Sequence, residues 1–143
     1  MPIEYEIDHE RRLVMAWGHG TLTDQDVFGY QREAWSGPDV AGYDELIDMT
    51  AVERIALPST ERVKDLARLS AAMDHPAPVP RSKFAIVAPK DLAFGLGRMY
   101  ETYRSMDNKS TKQVGVFRTL PEALKFLEVT LQGRAAPVNR ARG

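Results

Sequence analysis

The sequence predicts a single α/β domain in which an N-terminal antiparallel hairpin is followed by βαβαβα units in one mixed five-stranded sheet. Short apolar runs typical of strands recur along the chain, and segments with helical periodicity separate the later ones. The resulting order is β-β-α-β-α-β-α-β-α. Because a helix that joins two neighbouring strands brings them into parallel pairing, this order favours a parallel sheet with the hairpin at one end.

The first two strands and the first helix are indicated by alternation and by a capping pattern. The run IEYEI alternates apolar and acidic side chains, and LVMAWG follows the polar turn DHERR, so the two runs predict a hairpin. In TLTDQDVFGYQREAW, Thr23 and Asp26 have the spacing of a capping box. This segment predicts a helix with Val27, Tyr30 and Ala34 on one face.

The third strand and the second helix flank a short polar link. The run YDELIDM predicts the third strand, and a helix is expected from Ser59 to about Asp74, where apolar residues share one face. The stretch HPAPVPR ends that helix, because its three prolines lack the backbone donors that a helix needs.

The remaining elements are a strand, a helix, a strand and a helix. KFAIVA predicts the fourth strand and QVGVF the fifth. Asp91 is a candidate cap for the helix between them. The inner face predicted for this third helix consists of Leu92, Gly95, Leu96, Met99, Tyr103 and Met106.

The last helix begins with the capping pattern T-L-P-E, in which Thr119 and Glu122 are three residues apart. Its apolar residues extend to Leu131, and Gly133 is expected to stop it. The tail RAAPVNRARG has no apolar pattern, so residues 133–143 are predicted to be disordered.

Composition excludes several classes of function. The net charge of -1 provides no overall attraction to nucleic acid or anionic lipid. The chain has no cysteine, which excludes disulfides, thiolate metal sites and a cysteine nucleophile. The N-terminus does not resemble a signal peptide, and no apolar run approaches the roughly 20 residues of a membrane helix. We therefore expect a cytoplasmic protein without membrane insertion.

Three segments resemble the SpoIIAA-like, or STAS, family, and specifically its bacterial members of unassigned function. They are LIDMTAVERI after the hairpin, SKFAIVAPKDLAFGLGRMYETYR, and QVGVFRTLPEALKFL. The resemblance covers roughly residues 3–131 and implies that residues 1–132 form the SpoIIAA-like domain. It implies a mixed sheet with strands in near-sequential order, one of them antiparallel. In the antagonist members of the family, the activity is protein binding, which phosphorylation of a serine after the third strand switches off.

Ser59 is the residue that the resemblance suggests as a phosphorylation site. In this chain Ala56, Leu57 and Pro58 stand where the family has an acid and a serine pair, and Ser59 is displaced by one position. A phosphate at a helix N-terminus would be stabilised by free backbone N–H groups. The alternative is that Ser59 is only the N-cap of the second helix.

Polar residues near the carboxyl ends of three strands form a candidate binding rim. Ligands of open α/β sheets usually lie at this edge. The alternative is that these side chains are strand-end caps and surface ion pairs. The candidate binding residues are Asp48, Thr50, Ser59, Lys90, Asp91 and Arg118.

No catalytic, metal or cofactor motif is present in the sequence. The three histidines lack metal-ligand spacing. Ser59, His75 and Asp48 could be combined into a triad, but no G-x-S-x-G motif supports it. FGLGRM is not a dinucleotide fingerprint, since Tyr100 replaces the last glycine, and Gly95 is instead expected to allow close approach to the sheet.

These observations predict a non-enzymatic domain that binds a protein partner or a small molecule in regulation. The alternative is a carrier of an apolar, lipid-like ligand in a pocket beside the third helix, whose methionines and tyrosines could form its wall. A homodimer is also predicted. If every helix lay on one face of the sheet, a second copy would have to cover the apolar residues Phe84, Ile86, Val114 and Val116.

Overall fold

A computed structural model of the protein describes residues 2–74 and 82–128. The five strands are β1 (Ile3–Asp8), β2 (Leu13–Thr23), β3 (Asp44–Ala56), β4 (Ser82–Val87) and β5 (Lys112–Phe117). The four α-helices are α1 (Asp24–Trp35), α2 (Glu61–Met73), α3 (Asp91–Met106) and α4 (Leu120–Leu127). A short 3₁₀ turn, Pro38–Val40, lies between α1 and β3.

The five strands form one sheet in the order β1-β2-β3-β4-β5. β1 and β2 are antiparallel, and each later pair is parallel. The predicted fold class is therefore confirmed, including the N-terminal hairpin. The capping box at the start of α1 is also confirmed, since the Thr23 and Asp26 side chains each accept from the other residue's backbone N–H.

β3 is longer than the sequence analysis predicted. The expected polar link after Met49 is instead strand, because β3 continues to pair with β2 until Ala56 lies opposite Thr23. Two register shifts in this pairing, between Trp17 and His19 and between Gly20 and Thr21, accommodate the extension. β4 pairs with β3 only from Glu45 to Asp48, so the second half of β3 continues beyond the end of β4.

Helices cover both faces of the sheet. The helices α1, α2 and α3 pack on one face, and α4 packs on the other against Leu13, Met15, Leu46, Ala85 and Val87. Phe84, Ile86, Val114 and Val116 lie under α2 and α3 rather than on an open face. The homodimer was predicted on the assumption of an uncovered face. That face is covered, so this basis is lost, and the dimer itself stays a prediction.

The buried face of α3 differs in part from the predicted one, although Leu96, Met99 and Tyr103 do pack against the core. Its buried residues are Ala93, Gly97, Tyr100 and Arg104. Leu92 and Met106 are 62% and 74% exposed. Gly97 lies close to the sheet, since a Cβ there would be 3.0 Å from Cγ1 of Val116, whereas a Cβ at Gly95 would meet nothing within 4 Å. Gly97 is thus the glycine that allows close approach, and the prediction for Gly95 was wrong.

The predicted helix ends have mixed outcomes. Lys90 is the N-cap of α3, and Asp91 is its first helical residue rather than its cap. Thr119 caps α4 as predicted, because its hydroxyl accepts from the backbone N–H of Glu122. The predictions for His75 and the prolines after it, for Leu131 and Gly133, for the end of the domain at residue 132 and for the tail lie outside the described residues.

Candidate functional site

A cavity of about 130 Å³ lies between the sheet and the helices α1, α2 and α3. Its lining residues come from β1 to β4, from all three helices and from the segment after β3, and they are predominantly apolar. The central part of the wall is β3, where the period of two places Glu45, Ile47 and Met49 on the cavity side. Leu46, between them, faces α4 on the opposite side.

One part of the cavity wall is only half-buried. Ile47, Met49, Ile55, Leu57, Leu66 and Leu96 all line the cavity and pack against the core, yet each retains some exposure. Fully buried core side chains would retain almost none. The cavity is therefore a cleft that a small molecule can reach from solvent.

The other end of the cavity is a polar floor centred on Glu45. Its Oε2 atom accepts hydrogen bonds from the Tyr30 hydroxyl at 2.8 Å and from Nε1 of Trp35 at 3.1 Å. Its Oε1 atom accepts from Nζ of Lys112 at 2.9 Å. The Lys112 ammonium also lies 3.2 Å from the centroid of the Trp35 ring, a cation–π contact. The Glu45 carboxylate is thus buried with both of its oxygens bonded.

A second ion pair lies beside the first. Nη2 of Arg104 donates to Oδ2 of Asp74 at 2.6 Å, and both side chains are almost completely buried. Another nitrogen of the same guanidinium donates to the Tyr100 hydroxyl, and Nε donates to Oγ of Ser110 at 3.0 Å. Tyr100 lines the cavity, so this network also reaches its wall.

Gln31 completes the floor. Gln31 is one of the residues that line the cavity, and it is 8% exposed. The hydroxyl of Ser70 donates to Oε1 of Gln31 at 2.8 Å. Nε2 of Gln31 lies 3.7 Å from Sδ of Met73, a weak acceptor. The amide is therefore held by α2 through its oxygen.

The electrostatics of the floor follow from its burial. Burial, and then the negative charge of Glu45, raise the pKa of the Tyr30 hydroxyl well above its ordinary value of 10.0. Burial lowers the pKa of Lys112 from its ordinary 10.5, although Glu45 opposes this effect. Burial also raises the pKa of Tyr100. Both tyrosines are consequently uncharged hydrogen-bonding groups at neutral pH.

Several of the predicted rim residues bond within short local groups. Oδ1 of Asp48 accepts from the backbone N–H of Thr50 at 3.0 Å and from its hydroxyl at 2.6 Å. Nζ of Lys90 donates to the carbonyl of Val52 at 2.8 Å. Because β3 continues past Asp48, that residue and Thr50 lie within the strand and not at its end.

Arg118 and Asp91 form the remaining rim pair. Nη1 of Arg118 donates to Oδ1 of Asp91 at 2.8 Å and to the carbonyl of Pro89 at 3.0 Å. The guanidinium also lies 4.0 Å from the centroid of the Phe94 ring. These contacts agree with the alternative of surface pairing, while a binding role for the rim stays a prediction.

Ser59 is not the cap of α2. The helix begins at Glu61, its N-cap is Thr60, and Thr60 makes no side-chain capping bond. Ser59 contributes its carbonyl, which accepts from the backbone N–H of Arg62 at 3.2 Å. The N-cap interpretation was therefore wrong, because Ser59 precedes the N-cap by one residue. Phosphorylation of Ser59 stays a prediction.

The histidines and acids do not form a metal site within residues 2–74 and 82–128. No group of three or more histidine or acidic side chains there could hold a metal ion. Nδ1 of His9 lies 2.8 Å from the Tyr43 hydroxyl, and Nε2 of His19 lies 3.9 Å from Glu4. His75, the histidine of the possible triad, lies outside these ranges.

The polar floor was not predicted, although the sequence contains a signal for it. Glu45 lies in phase with Ile47 and Met49, which pack against the core, so a charge at that position requires a partner. Arg104 likewise follows Ala93, Gly97 and Tyr100 at spacings of four, three and four along α3. Charged residues in phase with core positions indicate a buried network.

The fold has a structural relative. The chain is similar to a crystal structure of an uncharacterized protein of the DUF3478 family with a SpoIIAA-like fold from Shewanella loihica PV-4. The two are 17% identical, the TM-score is 0.55, and the similarity covers 87% of this chain and 93% of the other. At this identity the comparison shows that the fold is SpoIIAA-like.

Two other comparisons and the search for membrane helices gave negative findings. No family model and no curated protein matches the sequence. Among the helices in the described part of the chain, none has the length and apolar character needed to span a membrane.

Proposed function

We propose that this SpoIIAA-like domain binds a small, predominantly apolar molecule in the cavity under α1, α2 and α3, without converting it chemically. The observation that carries the proposal is the cavity itself. It is lined by apolar side chains, it can be reached from solvent, and it ends at a buried polar floor. This arrangement is typical of small-molecule sites, where apolar walls supply affinity and a few polar groups supply orientation.

The size of the cavity limits the ligand. Its volume is about 130 Å³. An engineered apolar cavity of ~150 Å³ in another protein binds benzene. The proposed ligand is therefore a single ring or a short branched chain. A longer lipid-like molecule would have to extend out of the half-buried side, past Leu57 and Leu96.

A binding function fits the state of the ionisable groups. Glu45 is paired with Lys112, and Asp74 is paired with Arg104. Groups that already satisfy one another are suited to holding a fixed polar surface, because their partners keep each side chain in one orientation. The predicted regulatory role, protein partner and homodimer are separate proposals. Light scattering at high protein concentration tests the dimer.

Titration with benzene tests the proposal. We expect benzene, added to isotope-labelled protein, to shift the amide resonances of residues around the cavity, such as Ile47 and Gly97. Leu96→Trp should weaken benzene binding by about tenfold or more, because the indole would occupy the half-buried side of the cleft. Native mass spectrometry of freshly purified protein should in addition detect any ligand that the protein carries from its own cells.

Leu124→Trp is the matched control. Leu124 is also a half-buried leucine on a helix, but it lies on α4 at the opposite face of the sheet. This variant should bind benzene like the unmodified protein. Equal loss of affinity in both variants, or benzene shifts confined to α4, would contradict the proposed site.

A further inference from the structure

We infer that the cavity selects an uncharged ligand with one hydrogen-bond acceptor, and that the side-chain amide of Gln31 donates to this acceptor. The inference rests on the proposed function and specifies the chemical class of the ligand. A compact cyclic ketone is the simplest molecule of this class.

Gln31 supplies the donor. Its amide oxygen accepts from the hydroxyl of Ser70 at 2.8 Å, which orients the amide. Its amide nitrogen carries two N–H groups, and in residues 2–74 and 82–128 its only acceptor is Sδ of Met73 at 3.7 Å. The residue is 8% exposed and lines the cavity. A buried amide with a spare donor is costly unless it finds an acceptor, and a ligand can provide one.

The acceptors on the floor are already in use. Both oxygens of Glu45 accept hydrogen bonds from protein donors. The hydroxyl of Tyr30 accepts from Trp35, and that of Tyr100 accepts from Arg104. A ligand that offers an acceptor therefore complements the floor better than one that offers a donor.

The charges at and behind the floor are balanced. Two carboxylates, Glu45 and Asp74, face two cations, Lys112 and Arg104, in pairs of 2.9 Å and 2.6 Å. A charged ligand would bring an additional charge without a counter-ion into a buried apolar space, which costs several times more than burying a neutral polar group. The ligand is accordingly uncharged.

Two probe molecules test this inference. Cyclopentanone and methylcyclopentane have the same ring and the same number of heavy atoms, but only the ketone carries an acceptor. Gln31→Met removes the amide and keeps an unbranched side chain of similar length. We expect this variant to bind cyclopentanone about three- to tenfold more weakly, while its affinity for methylcyclopentane is unchanged or higher. Gln25→Met, an exposed position in the same helix, is the control and should alter neither affinity.

A measurement on the unmodified protein covers the case in which Gln31→Met does not fold. Cyclopentanone should shift the side-chain amide resonances of Gln31 in the direction of stronger hydrogen bonding, and methylcyclopentane should not. Equal effects of Gln31→Met on the two probes would overturn the inference. If that variant is unfolded, the absence of an amide shift specific for the ketone would overturn it.

The experiment also separates this inference from the proposed function. If both probes bind and the contribution of Gln31 is the same for each, the cavity binds apolar molecules but does not recognise an acceptor in this way. If neither probe nor benzene binds, the proposed function fails, and the inference fails with it.

Discussion

The ammonium of Lys112 lies 2.9 Å from the carboxylate of Glu45, although the two residues belong to strands that are not neighbours. Their side chains are 8% and 3% exposed. Lys112 is on β5 and reaches past β4, where its ammonium is 6.0 Å from the centroid of the Phe84 ring, to a carboxylate on β3. This pair connects the far end of the sheet to the floor of the cavity.

Removing one member of this pair should destabilise the protein strongly. In Lys112→Met, the Glu45 carboxylate stays buried without its cation, so the free energy of unfolding should fall by about 3–5 kcal/mol. Urea denaturation at neutral pH measures the change. The double variant Glu45→Leu, Lys112→Met should be more stable than the lysine variant alone, because it leaves no unpaired buried charge.

An exposed ion pair provides the comparison. Arg98 and Glu101 are 3.1 Å apart on α3, and the Arg98 side chain is 62% exposed. Arg98→Met should change stability by less than about 1 kcal/mol. A similar loss in Arg98→Met and Lys112→Met would show that burial of the Lys112 pair has no particular consequence.

The contribution of Tyr30 to the stability of the protein should be lost in alkali. Its folded pKa is raised above 10.0, with burial as the main cause, so its contribution is complete below that value and is lost as the pH rises. Between about pH 10 and 11 the unfolded chain ionises this hydroxyl while the folded protein does not. Over this range, urea denaturation should show the free energy of unfolding of the unmodified protein falling by roughly 1 kcal/mol relative to that of Tyr30→Phe. A constant difference would contradict the shifted pKa.

The two glycines of α3 should respond differently to alanine. Gly95→Ala should stabilise the protein by about 0.5–1 kcal/mol, because the methyl group meets open space and alanine favours the helix. Gly97→Ala should be less stable than Gly95→Ala, since its methyl group would lie 3.0 Å from Val116. Thermal unfolding of both variants tests the order, and the reverse order would show that α3 can move away from the sheet at no cost.

Capping residues provide a further contrast. Thr23→Ala removes a complete capping box at α1 and should cost about 1 kcal/mol. Ser59→Ala removes a hydroxyl from a residue that precedes the N-cap of α2, so it should change stability by less than about 0.5 kcal/mol. Denaturant unfolding measures both, and a larger loss for Ser59→Ala would indicate a structural role for that hydroxyl.

The order and type of the elements were predictable, because both depend on local patterns. The face of the sheet on which each helix packs was predictable for three of the four helices. The helices α1, α2 and α3 each connect parallel neighbours, and right-handed crossovers place them on one face. α4 follows the last strand, so no crossover determines its face. Its apolar residues Ala123 and Leu127 could pack on either side, and only the three-dimensional arrangement decides.

The cavity and its floor were predictable to a smaller extent. A possible apolar pocket beside the third helix was predictable, but not its wall. From α3 the cavity is lined by Ala93, Leu96, Gly97 and Tyr100, whereas the expected Met99, Tyr103 and Met106 do not line it. The ion pairs could not be assigned, because their partners are far apart along the chain. Glu45 and Lys112 are separated by 67 positions, and nothing in the local sequence of either residue identifies the other.

The extension of β3 past β4 has a consequence for self-association. Beyond Asp48, β3 has a neighbouring strand on one side only in the part of the chain that the structure describes. The unpaired edge of a strand can pair with an extended segment of another molecule. Lys90 already occupies the carbonyl of Val52, and the exposed charges of Glu53 and Arg54 oppose the approach of a second backbone. We therefore expect these three residues to disfavour edge-to-edge pairing along the part of β3 that extends past β4.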